Sequence, residues 1–296
     1  MPRITAQQAM AEALAQEMRR EARVLMFGEG VATKRPDLLE EFGADRVRNT
    51  PLAEAIIAGT AAGAAATGLR PVVELLFAPF MTYAMDALVN SAGKLRFISD
   101  GQFSFPLVAM AMTGGGWAVG AQHNHNVEAW FAHSPGLKVV MPSTPADFKG
   151  LLAAAIRDDN PVLFFADMAL LMQEGEVPEG EHLVALGRAA IRRSGSDVTL
   201  VAYAKSVGAC LQAADTLAAQ GISAEVIDLR TIKPLDGKTI LASVRKTGRV
   251  IIVHEASRMC GVGAEIAALV AEQAFDALES PVIRLTGPDA PARSIV

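Results

Sequence analysis

Glu54 is the first residue whose type and position could support chemistry. It precedes an Ala- and Gly-rich helical pattern that runs to Gly68, and the dipole of a helix favours a carboxylate at its first turn. One interpretation is therefore a simple first-turn acid. The other is an acid in an apolar pocket, where desolvation favours the protonated form and permits proton exchange near neutral pH.

Histidines provide a second candidate group. His123 and His125 belong to a Gln-His-Asn-His-Asn stretch that follows a glycine-rich turn. Histidines two residues apart in a strand share a face, but no adjacent cysteine or acidic ligand set supports zinc. A polar loop with histidine at the end of a strand is where α/β proteins collect catalytic groups. His133 follows two aromatic residues, and we predict a packed, hydrogen-bonded structural role for it.

Two further segments allow both a structural and a functional interpretation. Residues 77–81, Phe-Ala-Pro-Phe-Met, place aromatic rings at a strand-to-helix turn, where core packing is more common than a cofactor platform. Residues 155–161, Ala-Ile-Arg-Asp-Asp-Asn-Pro, form either a solvated acidic turn or a set of oxygen ligands for a hard cation. The sequence contains no complete phosphate loop, dinucleotide fingerprint or nucleophile elbow.

An alternation of strands and helices would position these groups. Apolar runs that predict buried strands lie at 24–27, 72–76, 106–112, 137–141 and 161–166. Helical patterns between them lie at 5–22, 36–42, 54–68, 79–94 and 145–157. After residues 167–182, which lose periodicity, strands are predicted at 197–203, 223–228, 250–254 and 281–285, and helices at 207–220, 236–247 and 263–278. We predict two doubly wound α/β domains, at residues 1–170 and 184–296, joined by a linker at 171–183.

Composition limits the classes of function. Hydrophobic residues make up 51% and charged residues 20%, with a formal net charge of −5. This balance, without basic clusters, argues against nucleic acid as a main partner. No apolar run is long enough for a membrane helix, and the N-terminal pattern gives no sign of secretion. Two cysteines exclude a disulfide framework and a multi-cysteine zinc site, so we expect a reducing, cytoplasmic setting.

Several segments, in order along the chain, resemble the beta subunits of pyruvate, branched-chain 2-oxo acid and acetoin dehydrogenases, which depend on thiamine diphosphate. In the first half these are Thr-Pro-Leu-Ala-Glu-Ala at 50–55, Leu-Arg-Pro-Val-Val-Glu at 69–74, Gln-His at 122–123, Trp-Phe-Ala-His at 130–133, Pro-Gly-Leu-Lys-Val-Val at 135–140 and the turn at 155–161. In the second half, Glu-Val-Ile-Asp-Leu-Arg-Thr at 225–231 and His-Glu-Ala at 254–256 resemble that family's transketolase C-terminal domain. The resemblance covers nearly the whole chain.

The resemblance implies a pyrimidine-binding domain followed by a transketolase C-terminal-like domain, and one half of an active site. Glu54 matches the glutamate that hydrogen-bonds N1′ of the aminopyrimidine and promotes deprotonation of the cofactor. Phe80 matches the aromatic residue that stacks on this ring, with Leu52 and Leu76 beside it. His123 matches the histidine implicated in acyl transfer to a lipoyl group. The chemistry itself belongs to the cofactor, which the protein orients and tunes.

Metal ions and partners are also implied by the resemblance. Positions that bind a structural potassium ion in some members, largely through backbone oxygens, match Leu107, Ala155, Ile156, Asp158 and Asn160. The Gly-Asp-Gly and Asn-Asn motif that holds Mg²⁺ and the diphosphate is absent from this sequence, and the family keeps it on an alpha subunit. The implied assembly is an α₂β₂ heterotetramer that shares thiamine diphosphate. It would decarboxylate a 2-oxo acid or cleave acetoin, and pass the acyl group to a lipoyl acyltransferase.

Three departures from the family pattern leave the substrate open. Residues 28–36 form a shorter loop than usual, with Gly30 in place of a common acid. His-Asn-His-Asn at 123–126 replaces His-Ser-Gln-Ser, and the chain ends at Val296, earlier than most relatives, which bears on docking to an acyltransferase core. Two alternatives therefore remain. One is a subunit of an unusual thiamine-dependent lyase or carboligase, and the other is a non-catalytic regulator of an alpha subunit.

Overall fold

The first helix begins where the sequence predicts it. In the computed structural model, which describes residues 1–115 and 117–291, the Thr5 hydroxyl accepts the Gln8 N–H at 3.2 Å and the Gln8 side chain accepts the Thr5 N–H at 2.9 Å. This reciprocal pair satisfies amide donors that a helix leaves free at its start. Pro36 and Pro145 each occupy the first turn of another helix, where a missing N–H breaks no hydrogen bond.

The strands alternate with helices over most of the chain. The strands are β1 (Arg3–Thr5), β2 (Val24–Glu29), β3 (Val47–Thr50), β4 (Arg70–Phe77), β5 (Val108–Thr113), β6 (Lys138–Val140), β7 (Val162–Asp167), β8 (Glu174–Glu176), β9 (Ala190–Arg193), β10 (Val198–Ala202), β11 (Ala224–Asp228), β12 (Thr231–Lys233), β13 (Val250–Ser257) and β14 (Ile283–Gly287). The α-helices are α1 (Ala6–Arg20), α2 (Val31–Lys34), α3 (Pro36–Phe42), α4 (Glu54–Ala66), α5 (Gly93–Ile98), α6 (Glu128–His133), α7 (Pro145–Arg157), α8 (Ser206–Ala218), α9 (Gly237–Thr247) and α10 (Val262–Gln273). Short 3₁₀-helices span Ala78–Thr82, Met168–Leu170 and Phe275–Ala277, and a π-helix spans Asp86–Ala92.

Two main sheets organise these elements. The larger has the order β12-β6-β7-β5-β4-β2-β3 and is parallel except for β12. The smaller has the order β14-β13-β10-β11-β9 and is parallel except for β9. A separate antiparallel pair joins β1 to β8. The predicted α/β class with mainly parallel sheets is thus confirmed.

Buried side chains lie on both faces of the larger sheet. One apolar cluster joins α1 and α7 to the sheet, with Leu14, Met26 and Phe148 among its members. The cluster on the opposite face includes Ile57 and Phe131 and continues into the second half of the chain. Burying both faces explains why the central strands are apolar nearly throughout. Within the described residues, no helix has the length and apolar character needed to cross a membrane.

The structure differs from the sequence prediction at two places that matter for the site. The single helix predicted at 79–94 is instead a 3₁₀-helix, a π-helix and the start of α5. Strand β12 lies in the predicted second domain, yet it pairs with β6 of the first sheet. The β1–β8 pair likewise brings the predicted linker back to the N-terminus. Strand pairing therefore crosses the division made from sequence, and the domain boundaries remain a prediction.

Candidate active site

The structure brings the five predicted cofactor and catalytic residues into one cavity of about 400 Å³. They are Leu52, Glu54, Leu76, Phe80 and His123, and the same wall includes Glu29, Phe77 and Tyr83. Residues from four separate parts of the chain thus meet in a single space, which none of the individual sequence patterns could show.

Sheet topology explains why these residues meet. Strands β2, β3, β4 and β5 are parallel, so their carboxyl ends lie at one edge of the sheet. Glu29 ends β2, Glu54 begins α4 shortly after β3, and Leu76 lies near the end of β4. His123 follows β5 in the chain. The carboxyl edge of a parallel sheet is where doubly wound proteins bind ligands.

An irregularity in β4 turns side chains into the cavity. The register between β4 and β5 shifts between Glu74 and Phe77, and Leu76 has a φ of 52°. A bulge of this kind re-aims side chains next to active sites, and a left-handed backbone at a branched residue costs about 1 kcal/mol or more. The end of β4 is therefore irregular, and this irregularity places Leu76 and Phe77 in the cavity wall.

Three rings form a compact aromatic corner. The His123 ring lies edge-on to Phe77, with centroids 4.8 Å apart at 89°, and edge-on to Phe80 at 5.2 Å and 89°. The two phenylalanines are themselves 6.3 Å apart at 80°. Such perpendicular contacts are the favoured geometry of aromatic pairs. Phe77 and Phe80 therefore line the cavity, whereas Ala78 and Met81 of the same segment are buried in the apolar core.

The cavity has the chemistry to receive a flat heteroaromatic ring. Phe80 offers an aromatic surface, and Glu54 places a partly exposed carboxyl group at the first turn of α4. A Glu29 side-chain oxygen, Oε2, is buried without a hydrogen-bond partner in the described structure, so it remains available to a ligand or water. The pyrimidine of thiamine diphosphate fits this set of groups.

One edge of the cavity is open and apolar. Leu52 and Tyr83 are 65% and 69% exposed, although both line the cavity. Among residues 1–115 and 117–291, no group of three or more His, Cys, Asp or Glu is arranged to hold a metal ion. The cavity therefore suits the ring of the cofactor.

The other two histidines lie outside this cavity. His125 is exposed and rests against Trp130, with ring centroids 5.1 Å apart. The prediction of a packed His133 is wrong, because this residue is exposed at the end of α6. The α6 helix directs Phe131 into the core, and residues two apart on a helix do not share a face.

The five residues matched to a potassium site cluster near the end of α7. Basic side chains of the protein donate hydrogen bonds to several of their oxygen atoms. Arg70 donates to the carbonyls of Ile156 and Asp158 at 2.9 and 2.8 Å. Arg96 donates to the Asn160 side-chain oxygen at 2.8 Å, and the Lys138 ammonium pairs with the Asp158 carboxylate. The remaining two, Leu107 and Ala155, accept backbone N–H groups through their carbonyls. These donors already engage several of the oxygens that would ligate a cation, and potassium remains a prediction.

Sequence reasoning missed Glu29, Phe77 and Tyr83 as members of the site. Glu29 had a usable signal, since a charged residue ending an otherwise apolar parallel strand lies at the ligand-binding edge. Phe77 belongs to the segment whose two interpretations the sequence left open. Tyr83 had no comparable signal, because its position depends on the 3₁₀-helix that replaces part of the predicted α-helix.

Comparison with family models divides the chain into two matches. Residues 3–173 match the pyrimidine binding domain of transketolase, and residues 187–295 match the transketolase C-terminal domain. A solved structure described as a split gene transketolase, inactive beta4 tetramer, superposes with a TM-score of 0.82 at 24% identity, covering 97% of this chain and 90% of that one. At this identity the likeness concerns the fold.

Similar sequences carry related names. The pyruvate dehydrogenase E1 component subunit beta of Rhizobium meliloti is 45% identical over 98% of this chain, which spans 65% of that protein. The 2-oxoisovalerate dehydrogenase subunit beta of Bacillus subtilis is 44% identical over 95% of this chain and 88% of its own length. The acetoin:2,6-dichlorophenolindophenol oxidoreductase subunit beta of Cupriavidus necator is 44% identical over 96% of this chain and 88% of its own length.

Proposed function

We propose a function from one premise: this chain belongs to the family of E1 beta subunits of 2-oxo acid and acetoin dehydrogenases, built from transketolase-type domains. It would act as the beta subunit of a thiamine-diphosphate-dependent E1 component. That component would decarboxylate a 2-oxo acid, or cleave acetoin, and pass the acyl group to a lipoyl domain.

The observation that carries this proposal is the meeting of the five predicted residues in one cavity. Leu52, Glu54, Leu76, Phe80 and His123 come from separate segments, and the fold brings them together at the carboxyl edge of the sheet. A protein that served only as a scaffold would have no need for an acid, an aromatic surface and a histidine around the same space.

Each side chain has a role that follows from its position. Glu54 would hold a proton beside a ring nitrogen of the cofactor, and Phe80 with Leu76 would orient the ring and exclude water. His123, placed against Phe77 and Phe80, would present an imidazole nitrogen to the acyl group and the incoming lipoyl group. When bound, thiamine diphosphate supplies the carbanion chemistry that none of these side chains can perform alone.

The open edge supports a shared site. Leu52, Tyr83 and Ile56 are exposed apolar side chains around the cavity and the first turns of α4, and exposed patches of this kind mark interaction surfaces. We expect an alpha subunit to cover them, to supply the Mg²⁺ and diphosphate ligands, and to form an α₂β₂ heterotetramer. A lipoyl acyltransferase is the expected acceptor, and a cytoplasmic location is expected from the two free cysteines.

The names of the relatives favour this function over the two alternatives. A lyase or carboligase subunit and a non-catalytic regulator would share the fold, since fold alone does not decide function. The relatives at 44–45% identity are named as dehydrogenase or oxidoreductase beta subunits. The acid and histidine in the cavity also argue against a regulator.

The first prediction tests Glu54 directly. In a complex with the cognate alpha subunit, Glu54→Gln should lower turnover by about 100-fold or more, because removing a positioned acid or base has an effect of this order. Turnover would be measured on a panel of 2-oxo acids and acetoin. Glu265→Gln is the matched control, since Glu265 is also a first-turn acid, on α10, but is exposed and outside the cavity.

Two results would contradict the proposal. Equal turnover of the Glu54→Gln and wild-type complexes would remove the assigned role of Glu54. Tight binding of thiamine diphosphate by the isolated chain, measured by calorimetry, would show that the site needs no partner.

A further inference from the structure

A group of buried and partly buried polar side chains joins the second half of the chain to the segment that carries His123. We call residues 117–127 the histidine segment. At its N-terminal side, the Gly115 N–H donates to Glu255 Oε1 at 3.0 Å. At its C-terminal side, the Tyr203 hydroxyl donates to Glu128 Oε1 at 2.7 Å. Both Glu255, on β13, and Tyr203, directly after β10, belong to the smaller sheet or its immediate edge.

The Glu255 carboxylate also contacts Lys205 and packs closely against the backbone of Gly114. The Lys205 ammonium pairs with the same Glu255 oxygen that accepts the Gly115 N–H. A Cβ atom at Gly114 would lie 2.8 Å from Glu255 Oε2 and 3.1 Å from Asp167 Oδ1. The backbone at Gly114 therefore packs directly on two carboxyl groups, and a charge-assisted hydrogen bond fixes the next residue.

The Tyr203 contact is almost completely shielded from water. Tyr203 and Glu128 are 2% and 1% exposed. The Tyr203 ring stacks on His254 with centroids 5.8 Å apart, and the Gly263 N–H donates to His254 Nε2 at 3.2 Å. Because this chain of contacts ends on α10, the position of Glu128 depends on the packing of the second half of the chain.

Few described contacts within the histidine segment itself could replace these anchors. Its backbone hydrogen bonds include those from Ala118 to Gly115 and from His123 and Asn124 to Gly120, each at 3.2 Å. The Asn124 side chain is 4% exposed and both of its amide atoms lack partners in the described structure. Apart from the contacts of the His123 ring with Phe77 and Phe80, the described polar contacts hold the segment mainly at its ends, and His123 lies between them.

We propose that Glu255 and Tyr203 are positioning residues that set the location of His123 in the active-site cavity. This inference rests on the proposed function for its catalytic consequence, but its structural part does not. Glu54 and Phe80 lie on α4 and a 3₁₀-helix rather than on the histidine segment. Loss of either anchor should therefore affect the step that uses His123 more than the steps that use Glu54.

The tryptophans provide a direct readout. The chain has two, Trp117 and Trp130, which lie at the start of the histidine segment and shortly after it. Because both tryptophans lie in this region, the tryptophan fluorescence of the full-length chain reports on this region alone. Their side chains are 49% and 42% exposed. Acrylamide quenching should increase in Glu255→Ala and in Tyr203→Phe, and less in Glu255→Gln, whose amide oxygen can still accept the Gly115 N–H.

A kinetic comparison tests the consequence in the complex with the alpha subunit. In Glu255→Ala and Tyr203→Phe, acylation of a lipoyl domain should fall by roughly 10–100-fold, the range expected for misplacing a reacting group by about 1 Å. Substrate turnover with dichlorophenolindophenol as artificial electron acceptor should stay within about twofold of wild type, because that assay bypasses the lipoyl group. Glu255→Gln should retain more acylation than Glu255→Ala.

The chain offers a closely matched control. Glu225 also accepts a glycine N–H, from Gly195, and pairs with a lysine, Lys246, but its contacts lie within the second half of the chain. Glu225→Ala should leave tryptophan quenching and the ratio of the two rates unchanged.

The possible outcomes separate this inference from the proposed function. Unchanged quenching in both Glu255→Ala and Tyr203→Phe would overturn it, as would an equal fall of the two rates in both of these variants. If the wild-type complex shows no activity on any 2-oxo acid or acetoin, the proposed function fails, while the quenching result still decides whether these residues position the segment.

Discussion

Asp167 shows how burial changes the chemistry of a single carboxyl group. It ends β7 with 2% of its surface exposed, and desolvation raises its pKa from 3.8 to about 6. The Ala169 N–H and the Lys205 ammonium oppose this rise, whereas the Glu255 carboxylate adds to it. Burial also raises the pKa of Glu128 nearby. Burial therefore shifts the Asp167 and Glu128 carboxyl groups toward their protonated forms.

The pH dependence of stability follows from the raised pKa of Asp167. The pKa of Asp167 is higher in the folded state than in the unfolded state. The protonated Asp167 therefore stabilises the protein below pH 4, and this contribution is lost as pH rises through about 6. Asp167→Asn should therefore gain stability relative to wild type between pH 4 and pH 6.5, by up to about 3 kcal/mol at roughly 1.4 kcal/mol per pKa unit. Urea denaturation at a series of pH values measures the difference.

Asp197 provides a control of opposite sign. The Ser223 N–H lowers the pKa of the Asp197 carboxyl group, so its stabilisation is present at neutral pH and is lost on acidification. Asp197→Asn should lose stability relative to wild type as pH rises. If the free energy of unfolding of Asp167→Asn changed with pH in parallel with that of the wild type, the burial argument would be contradicted.

At the scale of elements, the segment between β4 and β5 shows how tertiary contacts override a helical pattern. Residues 79–94 have helical spacing, but the structure forms a 3₁₀-helix at Ala78–Thr82 and a π-helix at Asp86–Ala92. The 3₁₀-helix brings Phe80 and Tyr83 to the cavity. Such π-helical turns are often found near functional sites. At the end of the π-helix, the Gly93 backbone meets the turn that precedes β6.

Gly136 makes this contact possible and can be tested. Its φ is +91°, and a Cβ atom there would lie 1.7 Å from the Gly93 carbonyl oxygen. Gly136→Ala should therefore reduce the free energy of unfolding by about 2–4 kcal/mol, from a steric clash added to backbone strain. Chemical denaturation measures this change. Gly221→Ala is the matched control, since Gly221 has a φ of +79° and no atom within 4 Å of the added carbon.

The comparison of the two glycine variants isolates the clash. Gly221→Ala should cost about 1 kcal/mol from strain alone. If both variants were equally stable, the close approach of Gly136 to Gly93 would have no energetic significance.

At the scale of the whole molecule, a network of charged residues connects the two sheets. Arg192 on β9 pairs with Asp147 on α7 and with Asp228 on β11. Asp228 is completely buried and also accepts the Ser143 hydroxyl. Together with the β12–β6 pairing, this network attaches the second half of the chain to the first sheet.

Removing Arg192 should be strongly destabilising. Arg192→Met leaves Asp228 buried without its cation, and breaking a buried pair in this way costs about 3–5 kcal/mol. The double variant Arg192→Met/Asp228→Asn should recover a large part of the loss, because the uncompensated charge is gone. Denaturation of the wild type, the two single variants and the double variant would measure the coupling.

The neighbouring arginine is a control for this experiment. Arg193 pairs with Asp215, which is mostly exposed, and such surface pairs contribute about 0–1 kcal/mol. Arg193→Met should therefore have a small effect. Additive effects of Arg192→Met and Asp228→Asn would show that the buried pair is not energetically coupled.

Sequence alone determined most of the elements and the chemical types in the site. The starts of the helices at Thr5 and Pro145 and the alternation of apolar runs depend on interactions between residues close in the chain, so local patterns predicted them. The ordered motifs around Glu54, Phe80 and His123 indicated the family, which the comparisons confirm.

Only the tertiary structure decided how these groups are arranged. The joining of Leu52, Glu54, Leu76, Phe80 and His123 results from the order of parallel strands, and strand order depends on contacts between distant residues. The same reason explains the missed Glu29, the β12–β6 pairing and the anchoring of the histidine segment by the smaller sheet. No local sequence pattern predicts a contact between residues far apart in the chain, because packing and hydrogen bonding bring them together only in the folded molecule.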